Sequence, residues 1–468
     1  MATEDRPKIR TESDSMGAMQ IPDAAYWGAQ AQRAAENFGV SPLRIPIPFM
    51  KALAAIKKSA AKINSSLGLL EAKLAEAIIS TTDEIIGEKW NDQFPVDVFQ
   101  TGSGTSWNMN MNEVIANRAN ELLGGEKGTR KPVHPNDHVN KGQSSNDVIP
   151  TATNVACRVE AGHLCSALER LERAFAEKSD ELKDVVKLGR THLQDAVPMT
   201  LGQEFSGYRE QIRKSRERIE RCYSSLEELA LGGTAVGTGL NSDPKFAAEA
   251  VRLLAEEFGV KFRKADNYFE AMAARDSIVE LMGSLNSLAV VLMKIAQDLR
   301  LLSSGPRAGI GEIQLPSLQP GSSIMPGKIN PVIPEMVIQV AAHVMGKNLS
   351  VTIAGQNAPL ELNIMQPLLA HEVLSSLDLL ARTADAFGSR CVRGITADPE
   401  HCRNLIDWSL ALVTPLALKV GYDRAANIAH RAFEEKRKVK EVILEEGVLS
   451  EAEADEILDP RSMLGPDS

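Results

Sequence analysis

Glu270-Ala-Met-Ala-Ala-Arg-Asp-Ser-Ile-Val-Glu-Leu-Met-Gly-Ser-Leu-Asn-Ser-Leu-Ala-Val-Val-Leu-Met-Lys-Ile-Ala-Gln-Asp-Leu-Arg-Leu-Leu-Ser303 is the stretch that decides the fold. Ile278, Leu285, Leu292 and Leu299 recur every seven residues, and so do Leu281, Leu288, Ile295 and Leu302. Two apolar rows kept over four heptads argue for a long helix packed in a bundle. A seam of that length predicts partner helices, from this chain and from other subunits.

Outward from it the pattern stays helical. Helices are expected over 49–70, 71–89, 106–123, 146–182, 200–230, 244–258, 331–353 and 367–387, with a shorter helical tail to Pro460. Asp398-Pro399 reads as a helix start, with Asp as cap and Pro in the first turn. Residues 1–48, with prolines at 22, 42, 46 and 48, read as irregular. No alternating apolar run demands a major sheet. The fold class is therefore mainly α, in three parts: a mixed, mostly helical region 1–141, a central long-helix bundle 142–397 and a small C-terminal helical region 398–468.

Composition narrows the function. The chain has 468 residues and a formal charge of −10, which disfavours nonspecific binding to nucleic acid or to an anionic membrane. Aromatics are only 4%, which suits close packing of small aliphatic helices. The five cysteines, Cys157, Cys165, Cys222, Cys391 and Cys402, form no Cys-x-x-Cys pair and read as isolated thiols of a reducing compartment. The start, Met-Ala-Thr-Glu-Asp, lacks an apolar signal core. The best apolar stretch, 287–302, is broken by Lys294, Asp298 and Arg300, so no membrane span is expected. The cytoplasm is the expected location.

Chemistry concentrates elsewhere. Gly321-Ser-Ser-Ile-Met-Pro-Gly-Lys-Ile-Asn-Pro-Val-Ile-Pro-Glu335 holds hydroxyls, a lysine, an asparagine and a carboxylate in a segment that Pro and Gly keep out of a helix. It reads as a mobile catalytic loop or, more blandly, as a surface turn. Thr101-Gly-Ser-Gly-Thr-Ser106 and Lys141-Gly-Gln-Ser-Ser-Asn-Asp147 are hydroxyl-rich turns running into helices. Free N–H groups at a helix start can hold a carboxylate, although Ser and Thr there also serve as ordinary caps. Gly189-Arg-Thr-His-Leu-Gln-Asp195 carries a histidine in a polar turn; a lone histidine is more often structural than catalytic. His134-Pro-Asn-Asp-His138 has two histidines four apart plus Asp137, but Pro135 breaks a common helical face and no third His or Cys lies nearby, so no metal is expected. Gly232-Gly-Thr-Ala-Val-Gly-Thr-Gly239 matches neither a dinucleotide fingerprint nor a phosphate loop. No cofactor is expected, and this segment reads as a tight turn.

Together Gly321–Glu335, Thr101–Asn112, His134–Thr151, Gly189–Gln203 and Gly232–Asn241 resemble, in order, the signature segments of the fumarase/aspartase superfamily. Within it the chain is most similar to class II fumarases, with the aspartases as close alternative. Ser145 and His192 match fumarases, as does Gly421-Tyr-Asp423. Asn330–Glu335 and Asn357–Asn363 are closer to aspartase wording, and Trp107 stands where the family usually has a small polar residue.

The resemblance implies reversible hydration of fumarate to malate, or release of ammonia from aspartate in the alternative. It implies Ser322 as base, Lys328 as charge clamp, and His192 with Glu335 at the leaving hydroxyl. It implies Ser103, Gly104, Thr105, Ser144, Ser145, Asn146, Thr191, Ser323, Lys328 and Asn330 as substrate-binding residues. His134, Pro135, Asn136 and Asp137 would form a secondary anion site. The implied partners are a small dicarboxylate and three further copies of the chain, in a homotetramer whose sites are shared between subunits.

Overall fold

The structure, a computed structural model, describes residues 8–465. Its first elements are strands β1 (Ile9–Asp14) and β2 (Gly17–Pro22), then helices α1 (Ala29–Asn37), α2 (Ile47–Ser66), α3 (Ala72–Ile86) and α4 (Thr105–Leu122). The long helix α5 (Ser145–Glu181) follows, then the hairpin β3 (Val186–Thr191) and β4 (Gln194–Thr200), α6 (Leu201–Arg221), the short α7 (Tyr223–Leu226) and β5 (Glu228–Leu229). Next come α8 (Phe246–Phe258), β6 (Arg263–Lys264), α9 (Tyr268–Ala273), the heptad helix α10 (Asp276–Leu302) and β7 (Ile313–Gln314). The chain continues with α11 (Val332–Gln356), α12 (Gln366–Arg390), β8 (Thr396–Ala397), α13 (Pro399–Trp408), α14 (Val413–Val420), α15 (Tyr422–Glu434), α16 (Val439–Glu445) and α17 (Glu451–Ile457). The fold is mainly α, as expected, and the strands form only two-stranded pieces.

Both heptad rows of α10 are buried: Ile278, Leu281, Leu285, Leu288, Leu292, Ile295 and Leu299 are fully covered, and Leu302 nearly so. The helix starts later than the pattern suggests. Ala274 adopts extended backbone between α9 and α10, and the buried Arg275 guanidinium donates to Asn154 Oδ1 at 2.7 Å. Counted from Asp276, the helix has 27 residues and by length and composition alone could cross a membrane, a test that a buried core helix also passes.

Three other boundaries moved. Residues 9–22 are not irregular but an antiparallel hairpin, with Ile9 opposite Pro22 and Asp14 opposite Gly17. Residues 29–37 add a helix. The helix expected over 200–230 stops at Arg221, because Glu228 and Leu229 leave it to pair in parallel with Arg263 and Lys264.

The chain forms two compact units. The first takes residues up to Cys165 with Arg218–Ser287 and His343–Leu380; the second takes Ser166–Glu217, Leu288–Ala342 and Ala381 onward. In the first, α2 and α3 pack together, and Trp107 at the head of α4 is fully buried against Phe49 with ring centroids 5.1 Å apart. Its indole N–H donates to the Val96 carbonyl at 3.3 Å. In the second, Phe175, Phe205, Tyr208 and Phe387 form an aromatic cluster, with edge-on contacts near 6 Å that such rings prefer. A smaller apolar core joins Leu188 to Ile406, Leu416, Ile428, Val442 and Ile443 of the C-terminal helices.

Candidate active site

Two of the polar segments meet in the first unit. Gly104 stands as N-cap of α4 with φ +74, and as a glycine it offers no side chain to cap this helix. Ser103 and Thr105 hydrogen-bond to each other at 2.8 Å instead. The capping explanation for these two hydroxyls therefore fails; the Gln100 side chain accepts the Trp107 N–H of the first turn at 3.1 Å instead. A Cβ on Gly104 would lie 2.9 Å from Ile149 Cγ2, so a larger residue cannot stand this close to α5. Gly102 is tighter still: a Cβ would fall 1.8 Å from the Ile364 carbonyl oxygen.

At the head of α5, Ser144 Oγ accepts the Asn146 N–H at 3.2 Å, and Ser145 Oγ accepts Asn108 Nδ2 at 3.0 Å. Each hydroxyl spends a lone pair inward, so its proton is free to be donated outward, which is what a carboxylate needs. Asn146 Nδ2 donates to the Ala235 carbonyl at 2.8 Å.

The buried Asp147 accepts three backbone N–H groups: Ser144 at 3.0 Å, Gly232 at 3.0 Å and Thr234 at 2.9 Å. The glycine-rich turn at 232–239 is thus clamped onto the substrate-binding turn. Burial pushes the Asp147 carboxyl up, against the pull of those N–H groups and Lys57. Burial likewise pulls the Lys57 ammonium down, against the attraction of Asp147.

In the second unit, β3 and β4 pair with Thr191 opposite Gln194, so His192 and Leu193 form a two-residue turn. Both have positive φ, +55 and +61. Tight hairpins favour this geometry, but they usually place Asn or Gly there. The tip is exposed, and the His192 ring has no hydrogen-bond partner among the described residues.

The loop at 321–335 is closed at its base. Gly321 N–H donates to the Lys328 carbonyl at 2.8 Å, and Asn330 Nδ2 to the Gly321 carbonyl at 2.6 Å. Ser322 Oγ accepts the N–H groups of Ile324 at 3.2 Å and Met325 at 3.0 Å. Two donors aimed at one oxygen favour its anionic form. Ser323 and Lys328 are exposed, and Lys328 has no ion-pair partner among the described residues. Glu335 sits in the first turn of α11. Among the described residues, no hydrogen bond or ion pair joins the His192 tip to this loop.

The His134 segment is a single wide turn over Pro135–Val139. His134 Nδ1 accepts the N–H groups of Asn136 at 3.2 Å and Asp137 at 3.1 Å, and His134 N–H donates to His138 Nδ1 at 2.8 Å. Those backbone donors are committed, which leaves the outer His134 nitrogen and the Asn136 amide for an anion.

Asn108, Asp147, Lys57 and Asn140 were not singled out from the sequence. The one available signal was the spacing of Asn108 and Asn112, which four apart share one face of a helix.

Comparison with known proteins decides between the two branches. The family described as "Lyase" matches residues 17–346, and the one described as "Fumarase C C-terminus" matches residues 412–465. The chain belongs to the class II fumarases. A class II fumarate hydratase of Halobacterium salinarum is 53% identical over 455 residues, 97% of either chain. The mitochondrial fumarate hydratase of Rattus norvegicus is 49% identical over 98% of this chain and 91% of its own. The solved class II fumarase of Schistosoma mansoni superposes with a TM-score of 0.94 at 39% identity, over 98% of this chain and all of that one. This class II fumarase is a carbon–oxygen lyase that hydrates fumarate to malate. The fumarase-type C-terminus favours fumarase over aspartase, despite the aspartase-like wording at 330–335 and 357–363.

Proposed function

We propose that this fumarase works stepwise through an aci-carboxylate, with Ser322 as its base. In the dehydration direction Ser322 takes the proton from the carbon beside one carboxylate of L-malate. Charge then spreads onto that carboxylate, and Lys328 and Asn330 stabilise it. Preorganised donors of this kind are the strongest tool available for such a step. His192, oriented or charged by Glu335, gives a proton to the hydroxyl, which leaves as water. Hydration runs the same steps backwards. Ser103, Gly104, Thr105, Ser144, Ser145, Asn146, Thr191 and Ser323 hold the dicarboxylate. His134, Pro135, Asn136 and Asp137 form the secondary anion site.

The observation that carries this assignment is the pair of N–H groups on Ser322 Oγ, in a loop whose lysine charge is uncommitted. A free serine is far too weak a base, and donors on its oxygen lower that barrier. Lys328→Met tests the clamp. Oxyanion-type stabilisation is worth roughly 3–4 kcal/mol, so kcat should fall by about a hundredfold or more while circular dichroism is unchanged. Near-normal turnover would remove Lys328 from the reacting centre.

The proposed assembly is a homotetramer, with residues 142–397 supplying its shared core. In support, α10 exposes Val290 and α11 exposes Leu349 and Ile353, at 51, 63 and 50%. Apolar helix faces of this kind ask for cover. The unpartnered His192 tip suits a side chain offered to another subunit. The cytoplasm is the proposed location, and five buried cysteines that form no disulfide suit it.

A further inference from the structure

Behind the Ser144–Asn146 turn lies a polar relay with no part in the steps above. Lys57 on α2 is fully buried, and its ammonium donates to Asn140 Oδ1 at 2.9 Å and Gln143 Oε1 at 3.0 Å. A cation can face only the oxygen of an amide, so Lys57, together with the Gln143 carbonyl that accepts Asn140 Nδ2 at 3.2 Å, sets which way Asn140 points. The same Asn140 oxygen accepts Asn108 Nδ2 and Asn112 Nδ2, each at 3.2 Å. The second hydrogen of Asn108 Nδ2 goes to Ser145 Oγ.

This arrangement carries a cost. Asn108 Oδ1 and Asn112 Oδ1 are buried without a hydrogen-bond partner among the described residues. A buried unpaired acceptor typically costs about 1–3 kcal/mol. Turning Asn108 over would satisfy its oxygen with the Ser145 hydroxyl. It would also set that oxygen against the Asn140 oxygen, in a position now 3.2 Å away. As long as Asn140 is held by the ammonium, the turn is blocked.

We propose that Lys57 is a positioning residue for substrate binding: through Asn140 and Asn108 it keeps the Ser145 hydroxyl a donor to the substrate carboxylate. This rests on the assignment of Ser145 as a substrate-binding group. Without the ammonium, only the 3.2 Å contact to the Gln143 carbonyl holds Asn140, and Asn140 and Asn108 can reverse together. Ser145 then donates its proton inward to Asn108 and presents only lone pairs to an anion.

The test is steady-state kinetics on the intact enzyme with malate and fumarate, for Lys57→Met, Ser145→Ala and the double variant, with fold checked by circular dichroism. Lys57→Met and Ser145→Ala should each raise KM by about tenfold, the loss expected for one hydrogen bond to a charged group, with kcat changed much less. The double variant should be no worse than Ser145→Ala alone, because both changes remove one interaction. Multiplying effects would overturn the link, as would an unchanged KM in Lys57→Met, and Ser145 would keep its role in either case. An unchanged KM in Ser145→Ala would instead remove Ser145 from the site and the proposal with it. Asn140→Leu gives the same test should Lys57→Met not fold.

Discussion

Glu113 reaches from α4 to the first turn of α1, where its carboxyl accepts the N–H groups of Gly28 at 2.9 Å, Gln30 at 2.9 Å and Ala31 at 3.0 Å. Three donors at a helix N-terminus favour the charged form. Burial and the neighbouring Glu12 oppose them, and burial wins, so the group is pushed up from 4.5 to about 7. A carboxyl raised in the folded state stabilises it fully below pH 4.5, and that contribution is lost as pH rises towards 7. Glu113→Gln has no such titration. The unfolding free energy of wild type minus that of Glu113→Gln should therefore shrink between pH 4.5 and 7, by up to roughly 3 kcal/mol. Urea unfolding of both proteins at the two pH values measures it. A constant or growing difference would mean that the three donors prevail and Glu113 stays charged. None of this was legible in the sequence, because the donors lie more than 80 residues away from Glu113.

Among the elements, α13 was readable from two letters. Asp398 caps it, accepting the His401 N–H at 2.9 Å, and Pro399 fills the first turn. Asp398→Ala should cost about 1 kcal/mol, seen as a lower urea midpoint with an unchanged slope. A variant as stable as wild type would show that the Glu312 carbonyl, which accepts the Asp398 N–H at 3.0 Å, holds the corner by itself. Helices with a readable apolar pattern, such as α2 and α5, stood close to where it put them, and α10 kept both heptad rows although it starts only at Asp276. Elements set by distant pairing did not. β5 exists only because Arg263 and Lys264 lie beside it, and α6 ends early for the same reason. The β1–β2 hairpin turns Glu12 inward, where Arg10 meets it at 2.7 Å, so its buried side does not read as apolar. The site followed the same division. Hydroxyl, lysine and histidine residues beside glycines announced themselves. The side chains that orient them are ordinary asparagines, a lysine and an aspartate whose meaning depends on the fold.

At the scale of the molecule, the proposed sites need more than one chain. His192→Asn and Ser322→Ala disable different segments. If those segments meet only across subunits, a mixed tetramer contains some sites built wholly from intact parts. The two variants, unfolded together and refolded, should then dehydrate malate faster than either variant refolded alone. Mixed tetramers without recovered activity would place both residues in one chain's site.

The two compact units bear on how such a protein can be inherited. Each is assembled from three separate stretches of chain, and the path crosses from one to the other five times, first between Cys165 and Ser166 and last between Leu380 and Ala381. No single cut releases either unit. A gene broken once anywhere between Ser166 and Leu380 would divide both units at once. Neither unit could therefore be handed to another protein as one continuous segment of gene.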